Sequence, residues 1–325
     1  MNATTIRRVA TTLALAAAAT IAIAAPRAAH AASAPAVIVT SQATVIATTP
    51  TATPTSGFPV AVGAPGPAPY TGGQDAQPGE FAFVAGIRNV GGLRFFCTGS
   101  LVDPQWILTA AHCVDEGKTP SSIEVVVGDT DLNTTTDPAE LRAVDQIVVH
   151  PRWGGDTGDR NDVAMLHLTT PSTMPTIIFG VPQALKKGIK NCQIRRNGMV
   201  GPSAWAMRVM PCPISSGMGL GWGRTSSSAT TTSTTLKKAS ARIYDLAPKT
   251  FWRAKSGACP GDSGGPLVVR REDGQLLQIG VASYNEHGGG YFDWLVGGRC
   301  SPRGYDFYSN VGAGDLLTWF EGVMS

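Results

Sequence analysis

From Gly72 onward, short apolar runs alternate with turn residues at a regular pace. The runs 81–87, 106–110, 123–127, 146–149, 163–168, 267–269 and 277–282 are bounded by Gly, Pro, Asp or Asn. Segments of this length, rich in Val and Ile, are long enough to cross a sheet, and they predict β-strands in an all-β sandwich or pair of barrels. Charged residues are only 15% of the chain, which suits an extracellular strand-and-loop protein rather than a helical cytosolic one. Near the carboxyl end, residues 316–323 place apolar side chains at helical spacing, so a short terminal helix is expected there, with Asp315 in its first turn. The stretches at about 186–213 and 286–298 break the strand rhythm and are expected to be long surface loops. No internal repeat is visible, which argues against solenoids and propellers.

The amino terminus is of a different kind. Arg7 and Arg8 precede an apolar stretch over residues 9–25, then small residues ending in Ala29-His30-Ala31. A positive start, an apolar core too short to span a bilayer and an A-x-A site make residues 1–31 a secretory signal peptide cleaved after Ala31. The residues around the arginine pair match a twin-arginine signal poorly, so the general secretory route is expected. Residues 32–69 are Ala, Thr and Pro with almost no charge; they have little to pack with and read as a propeptide or linker without a fold. The formal charge of +3 resides in Arg7, Arg8 and Arg27. Without them the remainder is neutral and leaves no footprint for nucleic acid, and the run Lys186, Lys187, Lys190, Arg195 and Arg196 reads as a solvated loop.

All six cysteines, Cys97, Cys113, Cys192, Cys212, Cys259 and Cys300, follow the leader. An even count in a chain bound for an oxidising compartment predicts three disulfides, with the pairing left open by sequence alone. No CxxC pair suggests zinc or redox chemistry. Asp129, Asp131 and Asn133 could line a calcium loop, but an ordinary turn is the simpler reading.

Three segments carry chemistry. Gly261-Asp262-Ser263-Gly264-Gly265-Pro266 surrounds a serine with glycines, so that backbone N–H groups can approach a developing oxyanion with no Cβ in the way. A serine hydroxyl needs a base to become a nucleophile. His112 ends the apolar run Trp106-Ile107-Leu108-Thr109-Ala110-Ala111 and is followed by Cys113, a setting that holds an imidazole rigidly. His30, His150, His167 and His287 have no such surroundings. Asp162, in Asn161-Asp162-Val163-Ala164-Met165-Leu166, opens an apolar strand, where a partly buried carboxylate can accept from the imidazole Nδ1–H and fix its tautomer.

These three motifs, in this order, resemble those of the chymotrypsin and trypsin family from about Gly72 to the carboxyl end. The resemblance implies two packed six-stranded antiparallel β-barrels with a short C-terminal helix, the first over about 70–178 and the second over about 215–310 of a peptidase domain at 70–325. It implies a cleft between them and a triad of His112, Asp162 and Ser263. It further implies disulfides Cys97–Cys113 and Cys259–Cys300, leaving Cys192 with Cys212, and an oxyanion hole from the N–H groups of Gly261 and Ser263. Gly257, Ala258 and Asp306 would line the substrate pocket, and Ser283, Tyr284 and Asn285 would pair with substrate backbone. The expected activity is that of a secreted serine endopeptidase acting through an acyl-enzyme, with no cofactor and no metal. Its partners would be protein or peptide substrates and proteinaceous inhibitors, on a monomer free of membrane once the signal is removed.

Two features depart from the family pattern. The pocket position where trypsins carry Asp is Gly257, while Asp306 stands on the pocket wall where glycine is usual, unless Gly304 shifts the alignment by two. An off-base carboxylate predicts a basic or broadened specificity that admits some apolar residues. Family zymogens are cut after a basic residue to free an amino group that pairs with Asp262. Here Tyr70-Thr71-Gly72-Gly73 follows Pro69, and no Lys or Arg lies between Arg27 and Arg88, so self-activation by a trypsin-like cut is excluded at that place. Two alternatives remain: a catalytically silent binding protein on the protease scaffold, and an α/β-hydrolase esterase built on Gly261-x-Ser263-x-Gly265. Chain order opposes the latter, because only His287 follows the serine.

Overall fold

The computed structural model describes residues 73–115, 117–133, 139–157, 161–181, 215–226, 228–247, 251–286, 300 and 304–325. Two closed six-stranded antiparallel barrels account for nearly all the regular structure. The first is built from β2 (Val84–Asn89), β3 (Cys97–Asp103), β4 (Trp106–Thr109), β5 (Ile123–Val127), β6 (Glu140–Val149) and β7 (Ala164–Leu168), paired in the order β2-β3-β4-β7-β6-β5. The second comprises β8 (Ser215–Gly221), β9 (Lys237–Ala247), β10 (Phe251–Lys255), β11 (Pro266–Arg270), β12 (Leu276–Glu286) and β13 (Tyr305–Asn310), in the order β9-β10-β13-β12-β11-β8, and closes through β8 against β9. The two-residue β1 (Gln74–Asp75) precedes the first barrel in sequence but pairs with β9 of the second.

Most apolar runs became strands, with shifted bounds. Residues 81–83 form turns instead, with Phe81 and Phe83 buried, and β2 begins at Val84. β6 is longer than its apolar run because its first half alternates exposed and covered residues. The runs gave no sign of β8, whose sequence SSGMGLG has little β-propensity. Tertiary contact requires glycine at 217, since a Cβ there would overlap the Val268 carbonyl of the adjacent β11.

The barrels share a core. Leu220, Trp222, Val268 and Val281 of the second barrel join the cluster formed by Val84, Leu101, Ile107, Leu108 and Met165 of the first. Phe95 packs edge-on against Trp222 with ring centres 4.8 Å apart, and the buried Ser100 hydroxyl donates to Gln278 Oε1 at 2.7 Å. The terminal helix α1 (Gly314–Met324) docks through the buried Leu316 and Phe320. Phe320 meets Phe179, Trp319 meets His150, and Asp315 pairs with Arg152 at 2.8 Å. Among the described residues no helix is long and apolar enough to cross a membrane. The signal and linker segments, the loop at about 186–213 with Cys192 and Cys212, and residues 287–298 of the second predicted loop lie outside the described residues.

Candidate active site

The imidazole is placed by the end of a buried strand. β4 stops at Thr109, and residues Ala111–Cys113 form a single 3-10 turn between the buried Ala110 and Val114. The Cys97–Cys113 disulfide ties that turn to the start of β3. His112 is left partly exposed while its neighbours Ala111 and Cys113 are buried. On the other side, Asn161 adopts φ +67°, a left-handed conformation that Asn tolerates better than most side chains, and the Val163 N–H donates back to the Asn161 carbonyl at 2.8 Å. This tight bend drives the fully buried Asp162 inward.

Asp162 Oδ2 lies 2.7 Å from His112 Nδ1, and Asp162 Oδ1 accepts the His112 backbone N–H at 3.0 Å. Two contacts to one residue fix both the ring and its backbone. The Ser283 hydroxyl, 2.5 Å away, donates to the same Oδ2, and Ser309 Oγ donates to the Asp162 carbonyl at 3.0 Å. Two strands of the second barrel thus hold a residue contributed by the first, β12 at its carboxylate and β13 at its backbone carbonyl. The tautomer that satisfies this contact carries its proton on Nδ1, which places the basic lone pair of the ring on Nε2.

Ser263 sits on a bend between Cys259 and β11. Gly261 and Gly264 take φ +102° and +79°, conformations that side chains with a Cβ rarely adopt. At Gly264 a Cβ would in addition overlap Thr109 Oγ1 and the Thr98 carbonyl. The bend is closed by Asp262 N–H to Cys259 O at 2.9 Å and Gly265 N–H to Asp262 O at 2.8 Å. It is fastened across the barrels by Thr98 N–H to Ser263 O at 2.8 Å. Ser263 itself remains partly exposed, and its loop packs on residues 98, 109 and 110, two positions short of His112.

Asp262 points away from the serine. Its carboxylate accepts from Gly223 N–H at 2.7 Å and Cys259 N–H at 2.9 Å, and a Cβ on Gly221 or Gly223 would overlap it. Burial pushes its pKa up to about 7; the two backbone donors pull the other way, and Asp306 adds to the rise. Among the described residues Asp262 has no ion-pair partner.

Asp306 lies at the 256–258 segment. Its Oδ2 accepts from Ser256 N–H at 2.9 Å, Ser256 Oγ at 2.8 Å and Gly257 N–H at 2.7 Å, while Ser256 Oγ also meets Tyr308 Oη at 2.6 Å. Burial raises the Asp306 pKa to about 6 against the pull of these donors and the Ala258 backbone. Asn285 Nδ2 donates to the Ala258 carbonyl at 3.0 Å, joining β12 to the same segment. Tyr284 stacks on Phe307 with ring centres 4.4 Å apart. The Cys259–Cys300 disulfide closes this region.

The family model described as trypsin matches residues 70–294, well over half of the chain. The chain belongs to the trypsin family of serine proteases. It is 28% identical over 241 residues to urokinase-type plasminogen activator of Gallus gallus, covering 66% of this chain and 51% of that protein. It is 27% identical over 228 residues to transmembrane protease serine 9 of Rattus norvegicus, covering 66% of this chain and 19% of that protein. The chain thus spans about half the first relative and a fifth of the second.

Within this trypsin-family frame, the structure brings together His112 with Asp162, Asp306 with Gly257, and Asn285 with Ala258. Ser283 was expected only along the substrate strand, yet its hydroxyl reaches Asp162. His150 and His167 are engaged elsewhere, His150 against Trp319 and His167 with Asp145 at 2.6 Å. Sequence reading missed Ser309, Ser256, Thr98 and Thr109. Single hydroxyls carry no periodic signal, and only the packing of segments distant in the chain gives them these partners.

Proposed function

We propose that this chain is a secreted serine endopeptidase that cleaves peptide bonds through an acyl-enzyme. Ser263 Oγ attacks the scissile carbonyl as His112 Nε2 takes its proton, and the Gly261 and Ser263 N–H groups stabilise the tetrahedral oxyanion. Collapse breaks the C–N bond, with His112 returning the proton to the leaving amine. Water then repeats the sequence on the ester. Asp162 holds the imidazole in the required tautomer and stabilises its protonated form. The observation that carries this reading is the doubly held His112–Asp162 pair, together with a glycine-bounded serine loop that packs on Thr109 and Ala110 of the segment leading to His112. Labelling with a fluorophosphonate tests it: one equivalent should attach at Ser263 and none to Ser263→Ala. Absence of labelling in mature protein would instead favour a silent binding protein.

For primary specificity, Asp306 supplies negative charge to the pocket, but Ser256 and Gly257 already occupy much of its hydrogen-bonding capacity. A substrate cation would gain charge attraction without a paired guanidinium fit. Basic and some apolar side chains are therefore accepted.

Activation follows from the burial of Asp262. A carboxylate this enclosed favours a cationic partner, and a freed amino terminus inserted beside Gly221 and Gly223 would supply one. With no Lys or Arg between Arg27 and Arg88, a different protease, a different cut, or a substitute for the amino group is needed. Amino-terminal sequencing of active secreted material decides this; full activity with Ala32 at the terminus overturns a required cut near Tyr70.

A further inference from the structure

Two fully buried threonines outside the triad link the base-bearing strand to the nucleophile loop. Thr109, the last residue of β4 and three before His112, donates its hydroxyl to the Thr98 carbonyl at 2.8 Å. Thr98, on β3 beside the Cys97–Cys113 disulfide, donates its own hydroxyl to the Gly261 carbonyl at 2.9 Å and its N–H to the Ser263 carbonyl at 2.8 Å. One residue of the first barrel therefore grips both carbonyls that follow the two expected oxyanion donors.

The consequence is a matter of peptide geometry. A peptide unit is planar, so holding its C=O at one end and its N–H at the other fixes its orientation. The unit joining Gly261 to Asp262 is held by Thr98 Oγ1 at the carbonyl and by Cys259 O at the N–H, 2.9 Å on each side. The unit joining Ser263 to Gly264 is held by the Thr98 N–H at the carbonyl and by Ala282 O at the N–H, 2.8 Å on each side. The first of these planes lies between the two peptide units that carry the Gly261 and Ser263 N–H groups, and neither of those groups has a hydrogen-bond partner among the described residues. Gly261 has no Cβ and adopts φ +102°, so without the carbonyl clamp its backbone has more room to rotate than any other residue would.

We infer that Thr98 is a positioning residue of the oxyanion hole, its hydroxyl setting the Gly261 peptide so that both donors converge on the reacting carbonyl oxygen. Thr98 touches no substrate and acts through Gly261; Thr109 supports it by anchoring its carbonyl. This rests on the peptidase reading and extends it to a residue of the opposite barrel. An oxyanion donor acts on the transition state more than on bound substrate, so misalignment should appear in kcat rather than KM.

The test compares Thr98→Val, which keeps the shape and removes the donor, with Thr98→Ser, which keeps the donor. Each is measured for kcat and KM on a peptide substrate, for affinity toward a peptidyl aldehyde whose Ser263 adduct places an oxygen in the hole, and for affinity toward the product peptide. Thr98→Val should lose on the order of 10- to 100-fold in kcat, the scale set by misplaced or missing oxyanion donors. It should weaken the aldehyde by a similar factor and leave KM and product binding near wild type. Thr98→Ser should recover most of both losses. Wild-type kcat and aldehyde affinity in Thr98→Val would overturn the inference, as would equal impairment of Thr98→Ser, which would assign the effect to the methyl group. If Thr98→Val does not fold, Thr98→Ala replaces it under the same criteria. Mature wild-type protein that neither labels with fluorophosphonate nor cleaves peptides removes the peptidase reading and this role together; a reactive wild type with an indifferent Thr98→Val removes this role alone.

Discussion

Replacing Asp162 with Asn would keep the size of the side chain while reversing the logic of the pair. An amide can donate to Nδ1, which then gives up its proton to Nε2 and leaves no base facing the serine. The expected loss in kcat for Asp162→Asn is on the order of 10⁴-fold with KM little changed, a figure taken from the chymotrypsin-type triad itself. Ser283→Ala should cost less, about tenfold in kcat, because Asp162 loses one donor to a charged group and retains both contacts with His112. Steady-state kinetics on one peptide substrate checks both. The motifs around residues 112, 162 and 263 were legible because each packs several constrained residues into a few positions. Ser283 was read only as part of a strand, since its partner lies 121 positions away.

At the scale of the element, the nucleophile bend and the 256–258 segment are each shaped by contacts with other strands. Gly264→Ala combines a left-handed backbone with overlap against Thr109 and Thr98, whereas Gly274→Ala has a similar φ of +86° and nothing within 4 Å of the added Cβ. Thermal unfolding should therefore fall by more than about 5 °C for Gly264→Ala and clearly less for Gly274→Ala. In the pocket, Asp306→Ala removes the charge facing Gly257 and should lower Arg and Lys cleavage relative to Leu and Phe, read from paired peptides. Unchanged Arg cleavage would deny Asp306 that role. β8 shows where element-level reading stops. Its glycines look like a loop in sequence, yet the lack of a Cβ at Gly217 is what permits close approach to β11.

Across the whole molecule, two buried carboxyls set a pH dependence of stability. Asp262 and Asp306 have folded pKa values raised from 3.8 to about 7 and about 6 by burial. Between the unfolded and folded values the native state binds more protons than the unfolded chain, so stability should fall as pH rises from about 4 to about 7. Glu80 and Glu140 are lowered from 4.5, burial opposing but outweighed by their hydrogen bonds and nearby cations; their stabilisation is complete above that value and lost only in more acid solution. His150, lowered from 6.5 chiefly by burial, acts in the opposite sense, adding stability as pH rises toward 6.5. Denaturant midpoints between pH 5 and 8 should show a decline that Asp306→Asn reduces, and an unaltered slope in that variant would contradict the assignment. If a freed amino terminus pairs with Asp262, the mature enzyme should show a shallower decline than its precursor.

Composition and turn spacing determined by themselves that this would be a β-protein, and three short motifs determined which residues could form a serine nucleophile, its base and the base's anchor. Those inferences are local, because strand length, glycine freedom and the pairing of residue types along a few positions are written in consecutive residues. Only the tertiary structure decided that Ser309 and Ser283 brace Asp162, that Asp306 meets the Gly257 amide, and that Thr98 holds the loop of the opposite barrel. Each of these is a hydrogen bond between a strand and a bend far from it in the chain, whose partners are chosen by barrel closure and register, and a lone Ser, Thr or Asp gives no notice of either.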